Sequence, residues 1–354
     1  MKILITGGAG FVGSRLAHAF RARDSRATIV AFDNLKRRGS ELNLRGFKNA
    51  GIQFAHGDIR SPGDLADLDG PFDLMIEASA EPSVLAGLDG SPQYAIQTNL
   101  VGTLNCLEYA RRSVGGMIFL STSRVYSMKP LKEIRLDETA TRFEISQQQE
   151  LVGVSARGVS ESFATHLPRS IYGATKLASE LMIQEYADTY QYPAIINRCG
   201  VIAGSGQFGK VDQGVFTLWV ASHHFKKPLK YTGFGGTGKQ VRDLLHPLDL
   251  FELLERQVPT LKANAGGIFN VGGGRAISTS MQELTAICRE VTSSTVAIAE
   301  DSKTSSVDIP LYVSDSSLAE STFGWKPKTS VREIVSEIGT WIRENEKDLA
   351  PLFS

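Results

Sequence analysis

Cysteine is scarce in this chain: Cys106, Cys199 and Cys288 are the only three in 354 residues. They are odd in number and far apart, which excludes a disulfide framework and a CxxC metal pair and favours a reducing compartment. Net charge is missing too. Lys plus Arg and Asp plus Glu both count 38, so no global field recruits nucleic acid or an anionic membrane. No run approaches the roughly 18 apolar residues of a membrane span. The apolar start MKILIT is interrupted by glycines at 7, 8 and 10, so it is not read as a signal peptide. Repeats and low-complexity stretches are absent. The expectation is a cytoplasmic protein with no metal, no nucleic-acid partner and no membrane contact.

What is present is an ordinary globular composition, 42% hydrophobic and 21% charged, with material for one large domain or two fused ones. Short apolar runs at 2–6, 27–32, 53–55, 73–77, 117–121 and 194–197 read as strands. Between them, helical periodicity appears at about 93–112, where Ile96, Leu100, Leu104 and Leu107 recur, and at about 172–190. This alternation predicts an α/β fold, a doubly wound parallel sheet of Rossmann type. Residues 1–200 would form a dinucleotide-binding domain, with a return near 240–262. Residues 201–354 would form a smaller, loop-rich α/β substrate lobe. There, 204–214 and 233–238 read as loops and 268–271 as a strand. Ser280 with Glu283 and Ser330 with Glu333 read as capping boxes. The stripe Val331, Ile334, Val335, Ile338, Trp341 and Ile342 reads as core.

Gly7-Gly8-Ala9-Gly10-Phe11-Val12-Gly13 follows the first strand and opens the first helix. Gly7, Gly10 and Gly13 keep the turn free of side chains, so that backbone N–H groups, with Phe11 and Val12 behind them, can approach a pyrophosphate at the positive end of the helix. Asp33 ends the next strand, 20 residues beyond Gly13, where a carboxylate accepts hydrogen bonds from a ribose and repels a 2′-phosphate. NAD is therefore the expected cofactor. Lys36, Arg37 and Arg38 keep NADP as the competing reading, unless they are a solvated loop. Asp58 and Ile59, after the third strand, read either as an adenine contact or as an exposed loop.

Tyr172 and Lys176 are four apart on a predicted helix and share one face. A phenol with a pKa of about 10 is a poor base near neutrality. A neighbouring ammonium favours the phenolate and brings it into range for acid–base work. Ser121-Thr122-Ser123-Arg124-Val125-Tyr126 follows an apolar strand, where ligands bind in open parallel sheets. It offers either a hydroxyl to a substrate oxygen or merely a polar turn. Asn99 reads equally as a structural residue or a proton relay.

Together TGGAGFVG, STSRVY, YGATK and GKQVRDLLH resemble the extended short-chain dehydrogenase/reductase family, over nearly the whole chain to about Trp341. The resemblance implies Thr122, Tyr172 and Lys176 as a catalytic triad with Tyr172 as the base. It also implies NAD contacts at Asn34, Ala78, Ala80 and Asn99. Within the family, Phe32-Asp33-Asn34-Leu35, Glu138-Thr139 with Thr141-Arg142, Gln207-Phe208 and Asp212-Gln213-Gly214 look like the CDP-sugar 2-epimerases. That likeness implies substrate contacts at Ser123, Arg124, Gln207, Gln213 and Arg242, and a homodimer or homotetramer paired through the two long helices. Two positions depart from the family pattern: Glu77 stands where many relatives carry histidine, and Ser127 where glycine is usual.

The implied reaction is inversion of a sugar carbon by transient oxidation and re-reduction, on a CDP-sugar at C2 or, as the competing reading, a UDP-sugar at C4. Arg242 would meet the nucleotide's diphosphate, unless it pairs with Asp243 or Asp249. Lys210 and Lys239 read as helpers there or as surface charges. A dehydratase resembles a pattern with Asp-Glu after the threonine, where this chain has Ser123-Arg124, and a decarboxylase one with Ser-Glu. A net dehydrogenase would release NADH. A non-catalytic NAD sensor is the reading from another class, disfavoured by the intact triad.

Overall fold

A computed structural model describes residues 1–88, 90–208 and 214–353. Seven strands, β1 (Lys2–Thr6), β2 (Thr28–Asp33), β3 (Gln53–His56), β4 (Leu74–Glu77), β5 (Met117–Thr122), β6 (Ala194–Cys199) and β7 (Ile268–Val271), form one sheet. Their order is β7-β6-β5-β4-β1-β2-β3, and every pairing is parallel. The chain steps outward from β1 to β3, then crosses back to β4 on the other side of β1. That reversal opens a crevice at the carboxyl ends of β1 and β4, the place where such sheets bind ligands.

The strands read as continuous apolar runs because both faces of the sheet are covered. Alternate residues serve opposite faces. Ile3, Ile5, Ile29, Ala31, Leu74, Ile76 and Ile118 join one buried cluster, while Leu4, Val30, Phe32, Met75, Met117 and Phe119 join the other. The first face is covered by α1 (Phe11–Arg23) and by the helix Pro247–Gln257, where Phe20 meets Phe251 edge-on at 4.9 Å. The second is covered by α2 (Gly102–Ser113) and α3 (Ile171–Thr189), through Cys106, Leu107, Ala110 and Ile183. Each such side chain, fully buried, contributes about 1.5–3 kcal/mol.

Two features differ from the sequence pattern. The helix expected over 93–112 contains a wide π turn at Gln97–Val101, which leaves the Asn99 carbonyl to accept from the Thr103 and Ser179 hydroxyls. The return toward the sheet expected at 240–262 runs further, because β7 at Ile268–Val271 adds a seventh strand beside β6.

Beyond β6, three helices, Val215–His224, Met281–Thr292 and Val331–Glu344, pack through Phe216, Trp219, Leu284, Cys288, Ile334 and Ile338. Both capping boxes form. The strand Val241–Leu245 pairs antiparallel with Ser278–Ser280 and parallel with Leu311–Tyr312. Glu337 ties the last long helix to α1 through Arg15 (3.1 Å) and also bonds His246 (2.7 Å). No described helix is long and apolar enough to cross a membrane.

Candidate active site

The crevice at the β1/β4 reversal is a cleft of about 560 Å³, within the usual size for a small-molecule site. Gly7, Gly10, Phe11, Val12, Asp33, Asn34, Ile59, Ala78, Ala80, Thr122, Tyr172 and Gln207 line it. Close packing explains the glycines. Gly7 has φ +62°, and a Cβ there would sit 2.8 Å from the Ala78 carbonyl; one on Gly13 would sit 2.2 Å from the Gly7 carbonyl. At Gly10 the N-terminus of α1 carries no side-chain cap and no acidic residue in its first turn. Its N–H groups and positive dipole end are therefore left for an anion.

Asp33 is held by the N–H groups of Ala9 (3.1 Å) and Leu35 (2.7 Å), one on each carboxyl oxygen. Burial raises its pKa, and these backbone bonds offset part of that rise. A bare helix start and a fixed carboxylate along one wall fit the pyrophosphate and ribose of a dinucleotide. Lys36, Arg37 and Arg38 also line this wall. Arg37 donates to the Phe208 carbonyl (3.0 Å), and Lys36 lies over the Tyr94 ring, so the run is not a freely solvated loop.

The floor is made by the end of β5 and the first turn of α3. Ser170 caps α3 by accepting from the Gly173 N–H. Tyr172, Lys176 and Glu180 then recur every fourth residue on the buried stripe of the helix. Tyr172 opens on the cleft; Lys176 lies beneath it, 1% exposed. Burial pushes the Tyr172 phenol up to about 12, and the Thr122 hydroxyl beside it and the Arg124 guanidinium act in the opposite direction. Burial likewise lowers the pKa of Lys176, against the pull of Glu77 and Glu180. Desolvation is the largest influence on the phenol's acidity here.

Other expected site residues sit elsewhere. The Asp58 carboxylate is engaged by Asn34 (2.9 Å) and Arg60 (2.6 Å) and does not line the cleft. These local bonds hold its pKa down to about 2. Asn99 is fully buried between the Glu81 backbone and the Thr175 hydroxyl, so it fastens the β4 loop to α3 outside the cleft. Ser123 is buried, and Arg124 faces Arg242. Arg242 pairs with Asp308 (2.8 Å), not with Asp243 or Asp249, because the neighbouring Asp243 carboxylate turns to the N–H groups of Gly274 and Ser314. Gln207 bonds Thr217 (3.1 Å) and the Ile202 carbonyl. Lys239 pairs with Glu138 (2.8 Å). Lys210 and Gln213 lie outside the described residues. Among the described residues, no cluster of three His, Cys, Asp or Glu side chains is placed to hold a metal.

Two charged groups at the site were given no role by the motif reading, although Glu77 stood out as a departure. Glu180 forms a buried two-pronged pair with Arg198 on β6 (2.7 and 3.1 Å) and accepts from Ser121. Its spacing from Tyr172 and Lys176 was the available signal. Glu77, at the end of β4, lies 3.7 Å from Lys176 with neither side chain more than 2% exposed.

A family model described as the NAD dependent epimerase/dehydratase family matches residues 3–272. CDP-paratose 2-epimerase of Salmonella typhi is 29% identical, over 96% of this chain and 99% of that protein. UDP-glucose 4-epimerase of Corynebacterium glutamicum is 27% identical, over 95% and 94%. Among solved structures, a dTDP-glucose 4,6-dehydratase variant from Streptomyces venezuelae with NAD bound superposes with a TM-score of 0.79, at 25% identity, over 99% and 100% of the two chains. The chain belongs to the NAD dependent epimerase/dehydratase family; it is an enzyme, and NAD is its cofactor.

Proposed function

We propose that this member of the family inverts one carbon of a nucleotide-linked sugar, in the manner named for the Salmonella relative: a CDP-sugar, at C2. The observation that carries the reading is the pairing of Thr122 and Tyr172 on the cleft floor, with no carboxylate in the two positions after the threonine. Ser123 and Arg124 supply neither the acid nor the carboxylate base that elimination of water requires.

Gly7, Gly10, Phe11 and Val12 would hold the pyrophosphate of NAD, and Asp33 its adenosine ribose, with Ile59, Ala78 and Ala80 along the walls. NAD held there would supply the hydride acceptor for oxidation of the sugar carbon and, once reduced, the hydride donor for its return. The Thr122 hydroxyl holds the sugar oxygen against Tyr172. The Tyr172 phenolate takes the hydroxyl proton as the carbon is oxidised, and gives it back when the ketone is reduced from its opposite face. Positive charge near the phenol favours the phenolate; Arg124 supplies it on the cleft side, and Lys176 would add to it from beneath. Arg242, kept poised by Asp308, and Arg124 would meet the diphosphate of the substrate. Residues 1–200, with the return through β7, would form the cofactor lobe, and the rest the substrate lobe. A cytoplasmic homodimer through α2 and α3 is part of the proposal, supported by Leu181 of α3, which is 56% exposed.

The test is incubation with CDP-, UDP-, GDP- and dTDP-sugars in deuterated water, read by NMR. Inversion of a CDP-sugar at C2 is expected. Inversion of a UDP-sugar at C4 would replace that assignment, and stoichiometric NADH release would overturn epimerisation. Tyr172→Phe should lose about 10²–10⁴-fold in turnover and still bind NAD.

A further inference from the structure

We infer that Glu77 is the buried counter-ion that keeps the Lys176 side chain charged and aimed at the catalytic tyrosine, a positioning residue for the acid–base group. The inference rests on the reading of Tyr172 as the acid–base group.

Geometry carries it. In parallel strands the face of a residue follows from its parity, and Glu77 shares the face of Met75, which joins the cluster under α2 and α3. It stands level with Thr6 on β1 and Phe119 on β5. Burial raises the pKa of Glu77, against which Lys176 acts first; the Glu77 Oε1 also accepts from the Ser79 N–H (3.1 Å) and the Thr6 hydroxyl (3.5 Å), two bonds that favour the ionised form and fix the plane of the carboxylate. Oε2 has no hydrogen-bond partner among the described residues and lies 3.7 Å from Lys176 Nζ. The ammonium also sits over the Phe119 ring, 3.8 Å from its centre, which favours the cation.

The other charged and titratable groups around the pair do not replace Glu77. Glu180, one turn along α3, is committed to Arg198. Cys199 on β6 and Cys106 on α2 face the pair as thiols whose pKa values burial raises. Tyr172 lies on the cleft side, with Arg124 beyond it. Burial lowers a lysine's pKa by up to about 3–5 units, Glu77 is the first charge to act against it at Lys176, and a neutral Lys176 would no longer favour a phenolate. Glu77 also works directly against the phenolate. The closer partner of Glu77 is Lys176, and the direction in which the pH profile moves on Glu77→Gln decides between the direct and the indirect effect.

The test is the ¹⁵Nζ resonance of Lys176, assigned by Lys176→Arg, in the NAD-loaded wild-type protein and its Glu77→Gln and Glu77→Asp variants. It needs no substrate, so it is decided separately from the choice of sugar. An ammonium at neutral pH in wild type, becoming an amine in Glu77→Gln and restored in Glu77→Asp, is expected. With a turned-over substrate, the ascending limb of kcat/KM against pH should move up by about one unit or more in Glu77→Gln, a loss of about tenfold at neutral pH. An amine in wild type, an ammonium that persists in Glu77→Gln, or a limb that stays put or moves to lower pH would overturn the inference. If Glu77→Gln does not fold, the wild-type and Glu77→Asp spectra decide it: an ammonium in both supports the inference, and an amine in either overturns it.

Discussion

Replacing Asp243 by Asn should stabilise the protein at neutral pH and do nothing in acid. Asp243 is fully buried on the strand Val241–Leu245. Its Oδ2 accepts from the Gly274 N–H (3.2 Å) and the Ser314 N–H (3.1 Å), while Oδ1 has no hydrogen-bond partner among the described residues. Burial pushes its pKa up to about 6, the two backbone bonds offsetting only part of the cost. An unfolded aspartate has a pKa of about 3.9. The folded state therefore holds the proton more tightly, and the group's contribution is fully present below about 3.9 and is lost as pH rises through about 6. A difference of about two units at 1.36 kcal/mol each amounts to about 3 kcal/mol at neutrality.

An asparagine has the same shape. Its oxygen can occupy the Oδ2 position and its NH₂ the Oδ1 position, near Ser314 Oγ, itself without a partner among the described residues. Scaled to a chain of this length, 3 kcal/mol corresponds to a rise in Tm of about 4 °C. Calorimetry of both proteins across pH should show that gain above about pH 7 and its disappearance toward about pH 4. A variant less stable than wild type at neutral pH, or equally more stable in acid, would show that Asp243 stays ionised and satisfied.

Glu180→Gln should strand the Arg198 guanidinium, which is 4% exposed, and cost about 3–5 kcal/mol; an unchanged Tm would show that the pair is dispensable. Asp33→Asn removes the carboxylate that the cleft presents to a ribose. Its NAD affinity should fall about tenfold and its discrimination against NADP should shrink, as read by calorimetric titration with both cofactors. Equal preference before and after would assign selectivity elsewhere. Gly13→Ala places a Cβ 2.2 Å from the Gly7 carbonyl, a backbone clash that should destabilise by about 1–3 kcal/mol and weaken NAD binding. Normal binding would mean the turn can open.

The doubly wound sheet was legible because strands buried on both faces are apolar throughout while the helices keep their own period, and the glycine turn was legible because its spacing is set by local contacts. Tyr172 and Lys176 were legible for the same reason: four residues on a helix share a face wherever the helix lies. What stayed hidden depends on register between segments distant in sequence. Asp58, read either as an adenine contact or as an exposed loop, is engaged by Asn34 from 24 residues earlier. Asn99 looked free to line the cleft until the π turn placed it against Glu81 and Thr175. Arg242 was read as a diphosphate contact, with a pair to Asp243 or Asp249 as the alternative, and the partner it has, Asp308, is 66 residues away.

Glu77 shows where that boundary falls. Parity alone puts residue 77 on the same face as residue 75, and helical spacing puts Lys176 on the stripe of α3 that faces the sheet. Neither says that the two meet. The meeting needs Thr6, Glu77 and Phe119 to stand level across three strands, and it needs α3 to cross the sheet at the ends of those strands. The register of a parallel sheet is fixed by the packing of every crossover at once, with no turn to set it locally. A carboxylate in an apolar strand is therefore visible in the sequence as an anomaly, while its partner becomes visible only when the whole sheet is assembled. A buried acid costs several kcal/mol unless it is paired or keeps its proton, and beside Glu77 the fold supplies a cation, Lys176.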